Sequence, residues 1–180
     1  MSDEYVIIVD DRDREVGRAE KLLVHLTARL HRAVSVFVFD AGGRLLLQRR
    51  AGGKYHSGDL WSNTCCGHPR PGESAVAAAE RRLQEEMGVR CTLTRACTIR
   101  YHLEVGGGLA EHEYDHVFVG VFDGSPAPDP GEVRDWCWMD RTSLQQALQR
   151  RPQEFTPWFR IILERLETFL ADGQVGVAAW

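Results

Sequence analysis

The eleven residues NTCCGHPRPGE, from Asn63 to Glu73, hold two adjacent cysteines, a histidine two positions past the second, and a glutamate just before a helix-forming stretch. Three chemistries use such groups: Cys65 and Cys66 in a disulfide, Cys66 and His68 on a zinc ion, or a single thiol that reacts. A second cluster, EHEYDH at Glu111 to His116, contains His-Glu-x-x-His at His112 to His116. On a helix that pattern brings two imidazoles to one zinc, with Glu113 as base. A third group, Glu73, Glu80, Glu85 and Glu86, puts carboxylates along one helical stretch, where a hard divalent cation can bind and in turn hold a diphosphate.

The rest of the chain limits these choices. Its 180 residues, 43% hydrophobic and 27% charged, suit one globular domain with a core from about residue 5 to 170 and a mobile tail over 172–180. Five cysteines are an odd set, and the start MSDEYVIIVDD carries acids where an export signal carries bases, so a cytoplasmic protein with free thiols is expected. No apolar run approaches the ~18 residues of a membrane span. A net charge of -4 without a basic run gives no reason to expect nucleic-acid or membrane-surface binding, and the oligomeric state is left open.

Apolar runs predict strands at Tyr5 to Val9, Ala33 to Phe39, Leu45 to Gln48, His116 to Phe122 and around Trp136 to Met139. Asp40-Ala41-Gly42-Gly43 predicts a hairpin turn. Helices are expected at Ser74 to Met87, stopped by Gly88, at Thr142 to Gln149, and at Pro157 to Ala171 with Trp158, Ile161, Ile162, Leu166 and Phe169 as its apolar stripe. Asp123 to Glu132 reads as a Pro/Gly-rich loop. This is a mixed α/β chain. The strand after His112 excludes the two-histidine zinc motif, because extended chain at ~3.3 Å per residue holds His112 and His116 about 13 Å apart. On the same strand Glu111 and Glu113 face one side and can converge on one ion.

From Gly67 the spacing is five residues to Glu73, seven more, then Arg81-Arg82-Leu83-Gln84-Glu85-Glu86-Met87-Gly88-Val89. This is similar to the Nudix box, with Arg82 as its one departure. The resemblance implies a single-domain Nudix fold, a mixed β-sheet core flanked by helices. Nudix hydrolases keep a glutamate where Arg82 stands, so hydrolysis is disfavoured. Within that superfamily CCGHP, His25 with Arg29-Leu30-His31, and Glu111-His112-Glu113 together resemble type I isopentenyl-diphosphate isomerases, over nearly the whole chain to Thr156-Pro157-Trp158.

That resemblance implies a metal site of His25, His31, His68, Glu111 and Glu113 for Mn²⁺, Zn²⁺ or Mg²⁺, with Cys66 and Glu113 as the acid and base. It also implies a diphosphate clamp of Lys21, Arg50 and Lys54, joined by Arg82 and by a Mg²⁺ ion at Glu86. The substrate is then a small isoprenoid diphosphate. Protonation of its alkene leaves a tertiary carbocation, beside which Tyr101 offers a hydroxyl and Trp158 an indole face. Glu113 with Tyr101 is expected to give the first proton and Cys66 to take the second; the reverse order is the alternative. Glu80 and Arg49 are expected at the surface, Arg49 facing away from Arg50. Cys65, Cys91, Cys97 and Cys137 are expected as small core residues, and His56, His102 and His116 as ordinary side chains. Two other functions are a Nudix diphosphate hydrolase and a metal-stabilised binding module.

Overall fold

The computed structural model describes residues 4–171, so the expected mobile tail over 172–180 lies outside the described residues. Strand β1 (Tyr5–Val9) pairs antiparallel with β2 (Glu15–Glu20), which leads directly into the short helix α1 (Lys21–Leu26). Glu20 caps α1, its carboxylate accepting from the amides of Leu22 and Leu23 at 2.9 and 2.8 Å. Strand β3 (His31–Phe39) then runs through the centre of the sheet. It pairs antiparallel with β4 (Leu45–Arg50) across the turn that Asp40 to Gly43 predicts, and with the short β6 (Cys65–Gly67); β5 (Trp61–Ser62) pairs with β4.

Helix α2 (Ala75–Met87) carries the glutamates. The Ser74 hydroxyl accepts from the Ala77 amide at its start, and Gly88 ends it with a left-handed φ of 63°. A side chain at Gly88 would collide with the Ala127 carbonyl, so this stop needs glycine on two counts. Strands β7 (Leu93–Gly106) and β8 (Leu109–Val121) form a long antiparallel hairpin, and β8 lies parallel to β3 over nine residue pairs from His31↔Glu113 to Phe39↔Val121. Strand β9 (Val133–Met139) pairs with β4, followed by α3 (Arg141–Arg150), a 3₁₀ turn at Pro152–Glu154, and α4 (Pro157–Ala171).

Period-two alternation sets the layers. Val34, Val36 and Val38 of β3 pack with Leu46 and Phe118 against Ala78, Ala79, Leu83 and Met87 of α2. Phe37 and Phe39 pack with Leu45, Leu47, Val117 and Val119 against Trp158, Phe159, Ile162 and Leu166 of α4. The result is a mixed sheet between α2 and the α3/α4 pair. Among the described residues no helix is long and apolar enough to cross a membrane.

Several elements extend beyond their apolar cores. β3 begins two residues earlier than its run, β4 continues through Arg49 and Arg50, and β8 starts at Leu109 rather than His116, because backbone pairing carries polar residues into the sheet. β2, α1 and the whole of β7 carry too little periodicity to be expected at all.

Candidate active site

The sheet register assembles one cleft at the start of β3. His31 lies opposite Glu113 on β8, Ser35 opposite Cys66 on β6, and Tyr101 of β7 opposite Glu113. Glu111, Glu113 and Asp115 alternate onto one face of β8. Helix α1 adds His25 and Lys21, and α2 adds Arg82 and Glu86 from the other side. Gly67 lets them meet, since a Cβ there would stand 2.7 Å from the Arg82 Cγ.

His25, His31, His68, Glu111 and Glu113 each present one donor atom, and all five atoms fall within 4.8 Å of one another. His25 and His31 donate their Nδ1 protons to the carbonyls of Lys21 and Arg29, at 2.7 and 2.8 Å, which leaves both Nε2 lone pairs aimed inward. The Nε2 atoms of His31 and His68 stand 3.2 Å apart, at 3.5 and 2.9 Å from the same Glu113 oxygen. Hydrogen bonds cannot serve all of these acceptors at once, and among the described residues the buried Nδ1 of His68 has no hydrogen-bond partner. Three imidazoles and two carboxylates around one point fit a divalent cation.

Electrostatics follows from this crowding. Burial pushes the His68 imidazole down to about 4, although Glu113 pulls the other way. Burial lowers His25 as well, but its bond to Glu111 outweighs that and raises it. Burial would raise Glu111, yet its bonds to His25 and His56 hold it well below the usual carboxylate range. Glu113, raised by burial and by Glu111, is brought down overall by His31 and His68.

The thiol sits on the adjoining wall. Asn63 is fully buried, its amide nitrogen donating to the carbonyls of Val36 and Cys65 at 3.1 and 2.8 Å, so its Oδ1 must face the Cys66 sulfur, 3.2 Å away. The Ser35 hydroxyl donates to Asp115 at 2.7 Å and lies 3.5 Å from the same sulfur. Burial, then the nearby Asp115, push the thiol up to about 12. In the same cleft the buried Tyr101 hydroxyl donates to Glu113.

Cations close the cleft. Lys21 pairs with Glu4 at 2.9 Å, Lys54 with Glu132, and Arg82 with Glu86 and Glu132. Arg50 donates to the carbonyls of Ser57 and His56, and its guanidinium lies 5.3 Å from the centroid of the Trp158 ring. That face of the buried indole is therefore already engaged by a cation. Glu86 gives one oxygen to Arg82 and the other to Gln48 at 2.6 Å.

Every site residue expected from sequence lines this cleft, except His25 and His31, which lie fully buried behind it. Arg49 does face away from Arg50, donating to the Asp59 carbonyl, and Glu80 is exposed on α2. His56 corrects the expectation of an ordinary side chain, because its Nε2 meets Glu111 at 3.0 Å inside the site. His102 and His112 stack outside it, and His116 pairs with Asp13. Among the remaining cysteines only Cys65 is fully buried; Cys91, Cys97 and Cys137 are half-buried against the two cores, and all five cysteines are free thiols. Asn63, Ser35, Asp115, His56 and Glu132 had no motif to mark them.

A model of the NUDIX domain matches residues 29–159. Over 177 residues the chain is 50% identical to "Isopentenyl-diphosphate Delta-isomerase 2" of Aromatoleum aromaticum (strain DSM 19018 / LMG 30748 / EbN1), covering 98% of this chain and 94% of that relative. It is 51% identical over 164 residues to "Isopentenyl-diphosphate Delta-isomerase" of Serratia proteamaculans (strain 568), covering 91% and 92%. Among solved structures, DR0079 of Deinococcus radiodurans superposes with a TM-score of 0.77 over 91% of this chain and 99% of that one, at 18% identity, a likeness of fold alone. The chain belongs to the Nudix family and, within it, to the isopentenyl-diphosphate Delta-isomerases.

Proposed function

We propose that the protein interconverts isopentenyl diphosphate and dimethylallyl diphosphate as one Nudix-type isomerase domain. The observation that carries this reading is a single cleft with two proton-handling groups, the Cys66 thiol and the Tyr101–Glu113 pair, beside four cationic side chains. Shifting the double bond requires one proton added at the terminal alkene carbon and one removed from the carbon on the far side of the tertiary centre. The bonds rearrange through a carbocation, and no water need be consumed.

The protonation states support the second of the two orders left by sequence. Burial keeps the Cys66 thiol protonated, with a pKa pushed up to about 12, while the imidazoles keep Glu113 ionised. Cys66 then gives the first proton and Glu113, oriented by Tyr101, takes the second; in the reverse reaction the roles exchange. Asn63 aims the S–H bond and Trp158 walls off water. Lys21, Arg50, Lys54 and Arg82 would bind the diphosphate, which arginine and lysine recognise by charge-assisted hydrogen bonds.

His25, His31, His68, Glu111 and Glu113 would hold one Mn²⁺, Zn²⁺ or Mg²⁺ ion, and Glu86 would hold a Mg²⁺ ion with the diphosphate once its oxygens are released by Arg82 or Gln48. When bound, these ions supply fixed positive charge beside Glu113 and at the diphosphate oxygens. The test is a substrate panel with Mg²⁺ and Mn²⁺ present, followed by proton NMR for the alkene and methyl signals and by a phosphate-release assay. Dimethylallyl diphosphate formed from isopentenyl diphosphate, without phosphate release from any nucleotide, is the expected result. Released phosphate or a cleaved nucleotide with no allylic isomer would replace this reading with a hydrolase.

A further inference from the structure

Carboxylates of the protein itself engage most of the cations in the cleft, and one that lies outside the Nudix helix, Glu132, engages two of them. Glu132 closes the Pro/Gly-rich loop before β9. Its backbone is tied at both ends, its carbonyl accepting from the Ala51 amide at 2.9 Å and its amide donating to the Asp129 carbonyl at 3.0 Å. The loop is docked on α2, where the Asp129 amide donates to the Glu86 carbonyl at 3.0 Å. From this fixed backbone the side chain, 28% exposed, reaches Lys54 directly and Arg82 at 3.2 Å. The backbone is held and the carboxylate keeps a path to solvent.

We propose that Glu132 is an exchangeable counter-ion for the diphosphate: it holds Lys54 and Arg82 in place, yields them to an incoming diphosphate, and takes them back as product leaves. This rests on the reading of the cleft as a diphosphate site. Substrate and product carry the same diphosphate, and so does the transition state between them. Stronger binding of that group lowers KM without accelerating the chemistry, and it retards release. Four uncompensated cations would hold diphosphates tightly at both ends of the reaction. A carboxylate that competes for two of them weakens the hold equally for substrate and product, and it relieves the repulsion between Lys54 and Arg82 meanwhile.

The test is calorimetric binding of inorganic pyrophosphate, at one saturating Mg²⁺ concentration, to wild type, Glu132→Gln, Lys54→Ala and the double variant. Glutamine keeps the shape and backbone bonds of Glu132 and removes its charge. Glu132→Gln is expected to bind pyrophosphate about fivefold more tightly, the upper range for a partly exposed ion pair. That gain should shrink in the Lys54→Ala background, and KM for isopentenyl diphosphate should fall without a rise in kcat. Unchanged or weaker pyrophosphate binding by Glu132→Gln overturns the proposal, the weaker case pointing to Glu132 as a ligand of the divalent ion. A wild type that binds pyrophosphate but forms no dimethylallyl diphosphate refutes the isomerase reading instead, and leaves the effect of Glu132 to be read from binding alone.

Discussion

Replacing His56 by phenylalanine probes how the metal cluster is held. His56 touches none of the other imidazoles by hydrogen bond; it acts on Glu111, whose Oε1 it meets at 3.0 Å, with side-chain exposures of only 4% and 8%. A phenyl ring preserves the edge contacts to Tyr55 at 4.5 Å and to Trp158 at 5.7 Å. Two contacts are lost, a local one to the Ser57 hydroxyl at 3.2 Å and the hydrogen bond to the buried Glu111 carboxylate, the latter worth about 1.5–3 kcal/mol. Part of that energy orients Glu111 toward the other four donors, and such supporting bonds typically change metal affinity by about 10–100-fold. At about 1.4 kcal/mol per factor of ten the two figures agree. Competition against a graded series of chelators, with Mn²⁺ and with Zn²⁺, should show His56→Phe binding roughly tenfold or more weakly than wild type, with an unchanged fold by circular dichroism. Equal affinities for both ions would refute the argument that His56 positions Glu111.

Other outcomes follow from the same geometry. Tyr101→Phe removes the hydroxyl that donates to Glu113 and should lower isomerase kcat by about 10–100-fold while leaving pyrophosphate affinity unchanged; a loss below threefold would contradict the role of that bond. Phe159→Ala opens the α4 face of the core, where Phe159 is fully buried and stacked between Phe37 and Phe155, and should destabilise by about 3–5 kcal/mol in urea titrations. His68 stays neutral down to about pH 4, whereas an unfolded histidine charges near 6.5. Between these values the unfolded chain holds the extra proton, so stability should fall as pH drops through that window. Urea midpoints at pH 7 and 5, with chelator present, should fall further on acidification for wild type than for His68→Gln; identical shifts would exclude His68 as the source.

The sequence is most informative where one physical pattern repeats. The β3 strand is buried on both faces and survives in the sequence as a continuous apolar run, the capped α2 keeps its helical period because one face is buried, and α4 matches its apolar stripe from Pro157 to Ala171. The β7 strand is different. Among the described residues it pairs only with β8, its outer face is exposed, and its alternation is broken by half-buried residues. Helix α1 has six residues, too few for a period to emerge, yet it carries Lys21 and His25.

The same contrast governs the site. Residues placed by motif spacing, such as Cys66, His68 and Glu86, are legible because neighbours fix their type and separation. His56 sits in an irregular stretch between β4 and β5, and Glu132 in a loop docked through main-chain bonds to α2. Asn63 and Asp115 act through contacts between segments distant in the chain. No local signal encodes those approaches.

In the proposed reaction Cys66 and Glu113 move protons at two different carbons of one bound isopentenyl diphosphate. Its most direct test is proton NMR of isopentenyl diphosphate in D₂O with wild type, Cys66→Ala and Glu113→Gln, each with folding and metal content measured. Wild type should form dimethylallyl diphosphate with deuterium in the new methyl group. Folded, metal-loaded Cys66→Ala should form none, and Glu113→Gln none even where its metal is retained. Turnover by Cys66→Ala at a rate close to wild type would contradict this assignment.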